Sequence, residues 1–451
     1  MKRHGLNWER TLALAAAEEL HFVDSNPKSQ ALAVRAARHL LFGVPLHAMK
    51  DGATPFALTV VQAAGARFSD ADDHVYLDFC LGDTGAMFGH APRPVARAIS
   101  KQTTRGYTTL LPSEDAVWVG EELARRFGLP YWQFALSASD ANRFVLRWLR
   151  AATGRHKILV FNGCYHGAVD DAFVDLVGGV PGQRDSLLGQ VYDLTRYTRV
   201  IEFNDLHALE MALAGNDVAC VLAEPVMTHI GMVMPQPGYW HAAQDIIRRH
   251  GTLLVIDETH TISSAPGGYA RTHGLVPDAL VIGKPIASGV PCAVYGFTEA
   301  LARRIEHARS SVPVGHSGIG TALTANMLTM AALRASLAEV MTEAAYETMF
   351  AMADRVALGL RRIIAKFGLP WCVTQVGART EFQFTPAPPL NGRQAQAGMD
   401  HQLARIIRLF MLNRGFLITP FHNMLLVCPE TDEDDVDELL VAFDECVMAM
   451  I

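Results

Sequence analysis

A carboxylate and a lysine follow two short apolar runs between residues 251 and 290. Asp257 comes directly after the run Thr252–Ile256, and Lys284 follows a glycine at the end of the run Ala279–Ile282. The β-branched content of these runs and the Gly/Pro-rich segments around them are typical of buried strands. In a parallel α/β sheet, groups just past the carboxyl ends of strands line the ligand crevice, so we expect the two side chains to converge. A lysine that forms a Schiff base and an acid that keeps a pyridine nitrogen protonated are what pyridoxal phosphate (PLP) chemistry requires.

A loop of small residues precedes the helix predicted for Ala141–Thr153. It reads Ser-Ala-Ser-Asp at 137–140 and follows the apolar strand predicted for Trp132–Leu136. The free backbone N–H groups and the positive dipole end of a helix make such a loop a ready phosphate site. Ser139 adds a hydroxyl group, whereas Ala138 restricts the loop more than a glycine would.

Several separated blocks resemble, in the same order, the class III aminotransferases of PLP fold type I. The nearest resemblance is to the branch of glutamate-1-semialdehyde aminomutases and β-amino-acid transaminases, and it extends from roughly Pro55 to the C-terminus. The matching blocks include Tyr165-His166-Gly167, Glu224-Pro225, Asp257-Glu258 and Gly283-Lys284.

The resemblance implies an α/β fold of the aspartate-aminotransferase-like type. It has a large domain with a mostly parallel seven-stranded sheet and a small α/β domain. We expect residues 1–70 to form an N-terminal arm and small-domain segment, and 71–310 the large PLP-binding domain. Residues 311–338 would form an interface segment and linking helix, and 339–451 the C-terminal small domain. The Gly/Asp/Arg-rich segment 170–200 is expected to be a loop over the active site.

The resemblance also implies PLP as the cofactor and roles for individual residues. Lys284 would form the Schiff base, Asp257 would hold the pyridinium proton, and Tyr165 would stack on the ring. Thr321 would reach the phosphate of the neighbouring subunit's cofactor, with Thr324 as the alternative because the spacing is one residue longer than usual. The full set of cofactor-binding residues is Ser137, Ala138, Ser139, Tyr165, Glu224, Asp257, Thr259, Lys284 and Thr321.

The chain departs from the family where a substrate carboxylate would bind. His47 stands where aminomutases of this branch carry an arginine, and Phe421 lies where β-amino-acid transaminases can carry another. Neither residue offers the bidentate fork that best holds a carboxylate. Arg379 is the remaining candidate clamp, with a purely structural role as the alternative. We therefore expect His47, Arg379 and Phe421 to border the substrate, and the substrate to carry an apolar group.

A second departure concerns the position where the family has a valine over the cofactor ring. This chain has Thr259 there, followed by His260. The histidine could tune the cofactor or merely fill space, and the sequence does not separate these two roles. Glu224, in the Glu-Pro block, is expected to face the substrate side and to pair with an arginine or a polar substrate group.

The composition excludes several classes of protein. The chain has 451 residues, of which 50% are hydrophobic and 19% charged, and its net charge is −7. No dense Lys/Arg cluster is present, so we expect neither nucleic acid nor an anionic membrane as a partner. No apolar stretch has membrane-spanning length. The seven cysteines lack metal-ligand spacing, so we expect no metal site and reduced thiols in the cytoplasm.

We interpret the chain as a homodimeric PLP-dependent transaminase. It would move an amino group between an amine or amino acid with an apolar substituent and a keto acid or aldehyde. An aminomutase, which retains its amine, and a racemase, which releases no keto product, remain alternatives. A PLP-binding protein without turnover is disfavoured by the intact lysine–aspartate pair. A nicotinamide enzyme is disfavoured because no G-x-G-x-x-G follows a predicted strand.

Overall fold

The computed structural model describes residues 2–451, which fold into two compact units. The terminal unit comprises the residues up to Pro92 together with Ala344–Pro388 and Gly398–Ile451. The central unit comprises Arg93–Glu343 and Pro389–Ala397. Every helix in residues 2–451 is too short or too polar to cross a lipid bilayer.

The strands are short and are numbered here along the chain. They are β1 (Lys2–Arg3), β2 (Leu6–Asn7), β3 (Val60–Ala64), β4 (Arg67–Asp70), β5 (Val75–Asp78), β6 (Tyr131–Ala135), β7 (Lys157–Phe161), β8 (Val174–Val177), β9 (Val180–Gln183), β10 (Thr198–Ile201), β11 (Val218–Ala223), β12 (Leu253–Asp257), β13 (Ala279–Ile282), β14 (Ala293–Phe297), β15 (Cys372–Val376), β16 (Arg379–Gln383), β17 (Phe416–Leu417) and β18 (Met424–Leu426).

The α-helices are numbered in the same way. They are α1 (Trp8–Ser25), α2 (Pro27–Ala36), α3 (Arg93–Thr103), α4 (Glu114–Phe127), α5 (Ala138–Thr153), α6 (Leu206–Leu213), α7 (Tyr239–Arg249), α8 (Gly268–Thr272), α9 (Glu299–Ser310), α10 (Met327–Ala335), α11 (Glu343–Lys366), α12 (Gly392–Ala397), α13 (His401–Leu412) and α14 (Glu433–Met450).

The central unit is built on a seven-stranded sheet with the order β10-β7-β11-β12-β13-β14-β6. Neighbours from β10 to β13 are parallel, and β14 is antiparallel to both β13 and β6. Strands β11, β12 and β13 are buried at every position, as expected when both faces of a parallel sheet are covered. The predicted seven-stranded, mostly parallel sheet is confirmed.

The predicted strands next to the site agree closely with the observed ones. The run predicted as Thr252–Ile256 is β12, displaced by one residue, and the run Ala279–Ile282 is β13 without change. These two strands are parallel neighbours, and Asp257 pairs in register with Val281. Their carboxyl ends therefore lie at the same edge of the sheet.

Two local predictions were wrong. Helix α5 begins three residues earlier than predicted, at Ala138, because the Ser137 side chain accepts a hydrogen bond from the Asp140 backbone N–H and caps the helix. The segment expected to be a plain loop, 170–200, contains the antiparallel hairpin β8–β9. The hairpin closes on Gly178 and Gly179, both at positive φ, which suits a tight two-residue turn.

The terminal unit has two main sheets of its own. The first has the order β17-β5-β4-β3 and the second β15-β16-β18. Phe22, Phe68, Tyr76, Leu409 and Leu412 form a buried cluster that joins α1, the first sheet and α13. Strand β17, near the C-terminus, pairs with β5, so residues 71–92 cluster with the terminal unit. The sequence-based boundaries at 70/71 and 338/339 thus differ from these unit limits, which lie at 92/93 and 343/344.

Candidate functional site

Asp257 is a buried charged side chain at the edge of the central sheet and is held by three hydrogen-bond donors. It ends β12 and is only 3% exposed. Its Oδ2 accepts hydrogen bonds from Asn142 Nδ2, 2.8 Å away, and from His166 Nδ1, 3.0 Å away. Its Oδ1 accepts one from the Thr259 backbone N–H at 3.1 Å. Three donors around one buried carboxylate hold it in a single orientation.

The pKa values of Asp257 and His166 move in opposite directions. Burial alone would raise the pKa of Asp257, but the hydrogen bond and charge of His166, with the hydrogen bonds from Thr259 and Asn142, lower it. Burial alone would lower the pKa of His166, but the hydrogen bond to Asp257 and the neighbouring Cys164 raise it to about 10. The two groups therefore form a buried ion pair at neutral pH.

Lys284 is the second residue past the end of the neighbouring strand β13. Its backbone is in the left-handed region, with φ 46°, which is uncommon for a residue other than glycine. The preceding Gly283 packs against the start of α5, because a Cβ added there would lie 2.7 Å from Ala138 Cβ. Gly283 also donates its backbone N–H to Thr259 Oγ1 at 3.2 Å. The residue before the lysine is thus held by Thr259, just past β12, and by the start of α5.

The second carboxylate of the Asp-Glu pair has a structural role. Glu258 is fully buried and accepts hydrogen bonds from the Tyr269 and Ala270 backbone N–H groups and from Thr261 Oγ1. Burial raises its pKa to about 7. Glu258 thereby holds the start of the short helix α8 in place. Of the two carboxylates, only Asp257 accepts hydrogen bonds from Asn142 and His166.

The predicted phosphate-binding residues form the cap and first turn of α5. Ser137 caps the helix, and Ser139 Oγ accepts a hydrogen bond from the Ala168 backbone N–H at 2.9 Å. This approach requires a glycine at 167, because a Cβ there would lie 2.1 Å from Ser139 Oγ. The start of a 16-residue helix presents backbone N–H groups and a positive dipole end, which favour a phosphate.

Two predicted ring contacts lie in the same unit. Tyr165 is 37% exposed, and its ring stacks on that of His229 with centroids 4.5 Å apart and an interplanar angle of 20°. Thr259 is buried and connects β12 to Gly283 through the hydrogen bond described above. The phenol ring of Tyr165 is thus supported by His229, a residue that the sequence did not single out.

Glu224 has a different environment from the one expected. Its carboxylate is buried and accepts hydrogen bonds from Thr228 Oγ1, at 2.6 Å, and from the Thr228 backbone N–H, at 3.3 Å. His260 Nδ1 lies 3.6 Å from Glu224 Oε2 and 2.5 Å from Thr228 Oγ1. Thr228 and His260 are thus the side chains beside Glu224 in the described residues, and its pairing with a polar substrate group stays a prediction.

The two candidate threonines for the neighbouring phosphate lie in one loop of the central unit. Thr321 Oγ1 and Thr324 Oγ1 are 3.1 Å apart, and Thr324 Oγ1 also accepts a hydrogen bond from the Thr321 backbone N–H at 3.1 Å. The loop is largely exposed, and Val314 within it is 97% exposed. The two hydroxyl groups therefore act as a pair, and their contact with a partner's phosphate stays a prediction.

The three predicted substrate-binding residues all belong to the terminal unit. His47 is exposed in a short turn, and Phe421 is 43% exposed. Arg379 is completely buried in β16 and donates a hydrogen bond to Thr84 Oγ1 at 2.7 Å. These contacts favour the structural role of Arg379 over the alternative of a carboxylate clamp.

Sequence reasoning missed Asn142, His166 and Thr228. Asn142 interrupts the apolar stripe of α5 formed by Val145, Leu146 and Leu149, and a polar residue on the buried face of a helix was the available signal. His166 stands in the quoted Tyr-His-Gly block, where only the tyrosine received a role. Thr228 carried no signal, because its importance depends on contacts with Glu224 and His260.

The chemistry of this set of residues fits PLP. A buried, ionised Asp257 matches an acid partner for a pyridinium nitrogen, and Lys284 lies past the adjacent strand. The start of α5 matches a phosphate dianion, and the hydroxyl of Ser139 lies in its first turn. Gly283, which precedes Lys284, packs so closely on Ala138 that a Cβ at position 283 would collide with it.

Comparisons with known proteins agree with this fit. The model of the family "Aminotransferase class-III" matches residues 48–447. A curated relative from Exiguobacterium sibiricum, named glutamate-1-semialdehyde 2,1-aminomutase 2, is 32% identical over 436 residues, covering 94% of this chain and 97% of the relative.

Solved structures give the same result. A crystal structure of a glutamate-1-semialdehyde-aminomutase from Pseudomonas aeruginosa PAO1 has a TM-score of 0.97 and 46% identity, covering 99% of this chain and 100% of that chain. A lysine-to-alanine variant of that protein in complex with PMP has the same values. An omega-transaminase from Sphaerobacter thermophilus has a TM-score of 0.85 at 24% identity, covering 94% of this chain and 97% of that chain, and shows likeness of fold alone.

These findings confirm the resemblance, the fold and the cofactor inferred from the sequence. The fold is PLP fold type I, and the cofactor is pyridoxal 5'-phosphate. The protein is thus a PLP-dependent enzyme that acts on small molecules.

Proposed function

Because the chain belongs to the class III aminotransferase family, we propose that it is a transaminase for an amine with an apolar substituent. The acceptor would be a keto acid or an aldehyde. The observation that carries this proposal is the ionised, buried Asp257 at the end of β12 together with Lys284 past the adjacent β13.

The residues of the central unit divide into three tasks. Ser137, Ala138 and Ser139 hold the phosphate at the start of α5. Asp257, held in its ionised state by His166, keeps a proton on the ring nitrogen. Tyr165 and Thr259 contact the ring. Glu224 lies next to His260 and reaches the site through it.

Lys284 performs the proton chemistry. When bound, PLP supplies the electron sink that stabilises a carbanion at the substrate carbon. Lys284 would hold the cofactor, and its Nζ, once free, would take a proton from the substrate carbon. Asp257 remains ionised throughout, because its three donors favour the charged form.

The substrate class follows from the residues of the terminal unit. His47 and Phe421 stand where the family resemblance implies arginines, and Arg379 is buried and donates a hydrogen bond to Thr84. A carboxylate without a paired cation is costly to bury. We therefore propose that amines with a sizeable apolar group are better donors than amino acids.

An aminomutase is the second candidate. It is favoured by the names of the relatives at 46% and 32% identity, both glutamate-1-semialdehyde aminomutases. A transaminase releases a carbonyl product and needs a separate acceptor, whereas an aminomutase converts its substrate into an isomer of the same mass. The two functions therefore differ in a product that mass spectrometry detects.

One experiment separates these functions. The loaded enzyme is given 1-phenylethylamine with pyruvate, or phenylalanine and 3-amino-3-phenylpropanoate as matched acids, or glutamate-1-semialdehyde alone. We expect the amine to exceed both amino acids in kcat/KM by at least tenfold, with ketone as the product. Conversion of glutamate-1-semialdehyde to its isomer, without ketone from any amine, would establish the aminomutase instead. Lys284→Ala is the inactive control, and borohydride should fix PLP to Lys284.

The assembly and location are proposed as a cytoplasmic homodimer with shared sites. All seven cysteines are free, which suits a reducing compartment. The loop that carries Thr321 exposes Val312, Val314 and Leu323, by 54%, 97% and 55%. Exposed apolar side chains of this kind suit a subunit interface. Sedimentation of the loaded enzyme should give twice the 49.2 kDa chain mass.

A further inference from the structure

His260 is in direct contact with the reacting nitrogen of Lys284. Its Nε2 lies 2.6 Å from Lys284 Nζ, and its side chain is 7% exposed. It occupies the position after Thr259, in the turn that follows β12. A buried imidazole within hydrogen-bond distance of an amine can exchange a proton with it.

The other imidazole nitrogen of His260, Nδ1, contacts Thr228 on the side away from Lys284. His260 Nδ1 is 2.5 Å from Thr228 Oγ1, and Thr228 Oγ1 is 2.6 Å from Glu224 Oε2. Thr228 is completely buried and Glu224 is 5% exposed. The four side chains therefore form one continuous chain of hydrogen bonds, which we call the relay: Lys284, His260, Thr228 and Glu224.

The single hydroxyl proton of Thr228 allows two arrangements of the relay. In the first, Thr228 donates to an ionised Glu224, His260 Nδ1–H donates to Thr228, and the Lys284 ammonium donates to His260 Nε2. In the second, a protonated Glu224 donates to Thr228, Thr228 donates to His260 Nδ1, and His260 Nε2–H donates to a neutral Lys284 amine. The two arrangements differ by one proton moved from Lys284 to Glu224, and the imidazole is neutral in both.

The surroundings of Glu224 allow it to take that proton at neutral pH. Burial raises the pKa of Glu224 to about 7, although the charge of His166 and the hydrogen bond from Thr228 oppose this and Asp257 adds to it. Glu224 Oε1 has no hydrogen-bond partner within residues 2–451, which disfavours the ionised form of a buried carboxylate. The titratable groups that face Glu224 are thus His260, His166 and Asp257.

We propose that His260 is a catalytic residue that passes a proton between Lys284 Nζ and the Glu224 carboxylate through the Thr228 hydroxyl. Thr228 and Glu224 act through His260: the Thr228 hydroxyl links the two, and the Glu224 carboxylate takes the proton. This inference rests on the proposed function, in which Lys284 must become a neutral amine before it takes a proton from the substrate carbon. The relay supplies that change without bulk water, and it explains why histidine rather than an apolar residue stands at position 260.

The relay can be tested without turnover, by labelling Lys284 with acetic anhydride in the full chain free of PLP. Only a neutral amine reacts, so the rate measured by mass spectrometry reports the neutral fraction at each pH. An ionised Glu224 can accept the proton and a protonated one cannot. We therefore expect the labelling rate of Lys284 to show a rise as the pH passes through about 7, the pKa of Glu224.

Three variants cut the relay at different points: His260→Gln, Thr228→Val and Glu224→Gln. Each should abolish the rise near pH 7 and lower the labelling rate at pH 8 about tenfold. Thr228→Ser restores the hydroxyl group and should restore the rise. His250→Gln is the matched control, because His250 Nε2 also contacts a glutamate, Glu210, at 2.7 Å but lies outside the site.

The outcomes separate the relay from the proposed function. A rise that persists in Thr228→Val or Glu224→Gln, or that is lost in His250→Gln, would overturn the relay. In the loaded enzyme the relay variants should slow the reaction with amine by about 10-fold to 100-fold, at the lower end of general acid–base effects. A wild-type enzyme that labels as expected but converts no amine would refute the transaminase and leave the relay standing.

Discussion

Replacing Asp257 by asparagine tests whether one buried carboxylate sets the charge of the site. Asp257 Oδ2 accepts hydrogen bonds from both Asn142 and His166. Asparagine has a similar shape but offers one carbonyl oxygen and one NH₂ group. It can keep some of the hydrogen bonds but cannot supply the negative charge that balances a buried imidazolium.

The size of the effect follows from His166. Its pKa is about 10 in the protein against an ordinary value of 6.5. A tenfold change in proton affinity is worth about 1.4 kcal/mol, so the difference corresponds to roughly 5 kcal/mol. Without the carboxylate, the pKa of His166 loses the hydrogen bond and charge that oppose burial. We therefore expect His166 in Asp257→Asn to titrate well below about 10.

The same pKa gives a pH dependence of stability. A histidine whose pKa is raised by folding stabilises the protein fully below the unfolded value of 6.5, and this contribution is lost as the pH rises towards about 10. The wild type should lose roughly 5 kcal/mol of unfolding free energy from this group over that range. Asp257→Asn should lack this loss.

The assay is an NMR titration of ¹⁵N-labelled histidine in wild type and variant, with turnover measured on the loaded enzyme. Turnover should fall by an amount on the order of 4–8 kcal/mol in barrier, since electrostatic preorganisation is commonly the largest catalytic term. Asp278→Asn is the control: Asp278 accepts a hydrogen bond from the Leu254 backbone N–H and does not contact His166. If His166 in Asp257→Asn still titrates near 10, or turnover stays near normal, the assigned role of Asp257 is wrong.

Two further predictions concern packing and the phosphate. Gly283→Ala places a Cβ 2.7 Å from Ala138 Cβ, so we expect a loss of about 1–3 kcal/mol in unfolding free energy and weaker PLP retention. Gly120→Ala, in α4 with no atom within 4 Å of the added Cβ, should be neutral or stabilising, and equal effects of the two variants would refute the packing argument. One of the two threonines, Thr321 or Thr324, should contact the phosphate. Replacing that residue by alanine should weaken PLP binding by about 1–3 kcal/mol. Equilibrium dialysis measures this loss, and a monomer that binds PLP with full affinity would contradict the shared site.

Much of the fold was predictable because buried parallel strands leave a strong pattern. Such strands must be apolar at almost every position, so β12 and β13 were visible as short continuous runs. The start of α5 was harder to predict, because the Ser137 cap draws residues 138–140 into the helix. The hairpin within 170–200 was missed because its strands have only four residues each and alternate weakly.

The sequence by itself determined which residues are the candidate reacting groups. Asp257 and Lys284 could be placed from local pattern alone, since each lies at or just past the end of an apolar run and parallel strands end at one edge of the sheet. Ser137, Ala138 and Ser139 could be placed as well, because a cap and first turn are local features of the chain. All these features depend on residues close together in sequence.

The tertiary structure alone decided what each reacting group contacts. Asp257 is held by Asn142, 115 residues away, and by His166, 91 residues away. His260 could have filled space or acted on the cofactor, and only the tertiary structure shows that it contacts Lys284 and Thr228. The physical reason is that proton affinity and hydrogen bonding act over a few ångströms of space, and strand order determines which distant residues share that space.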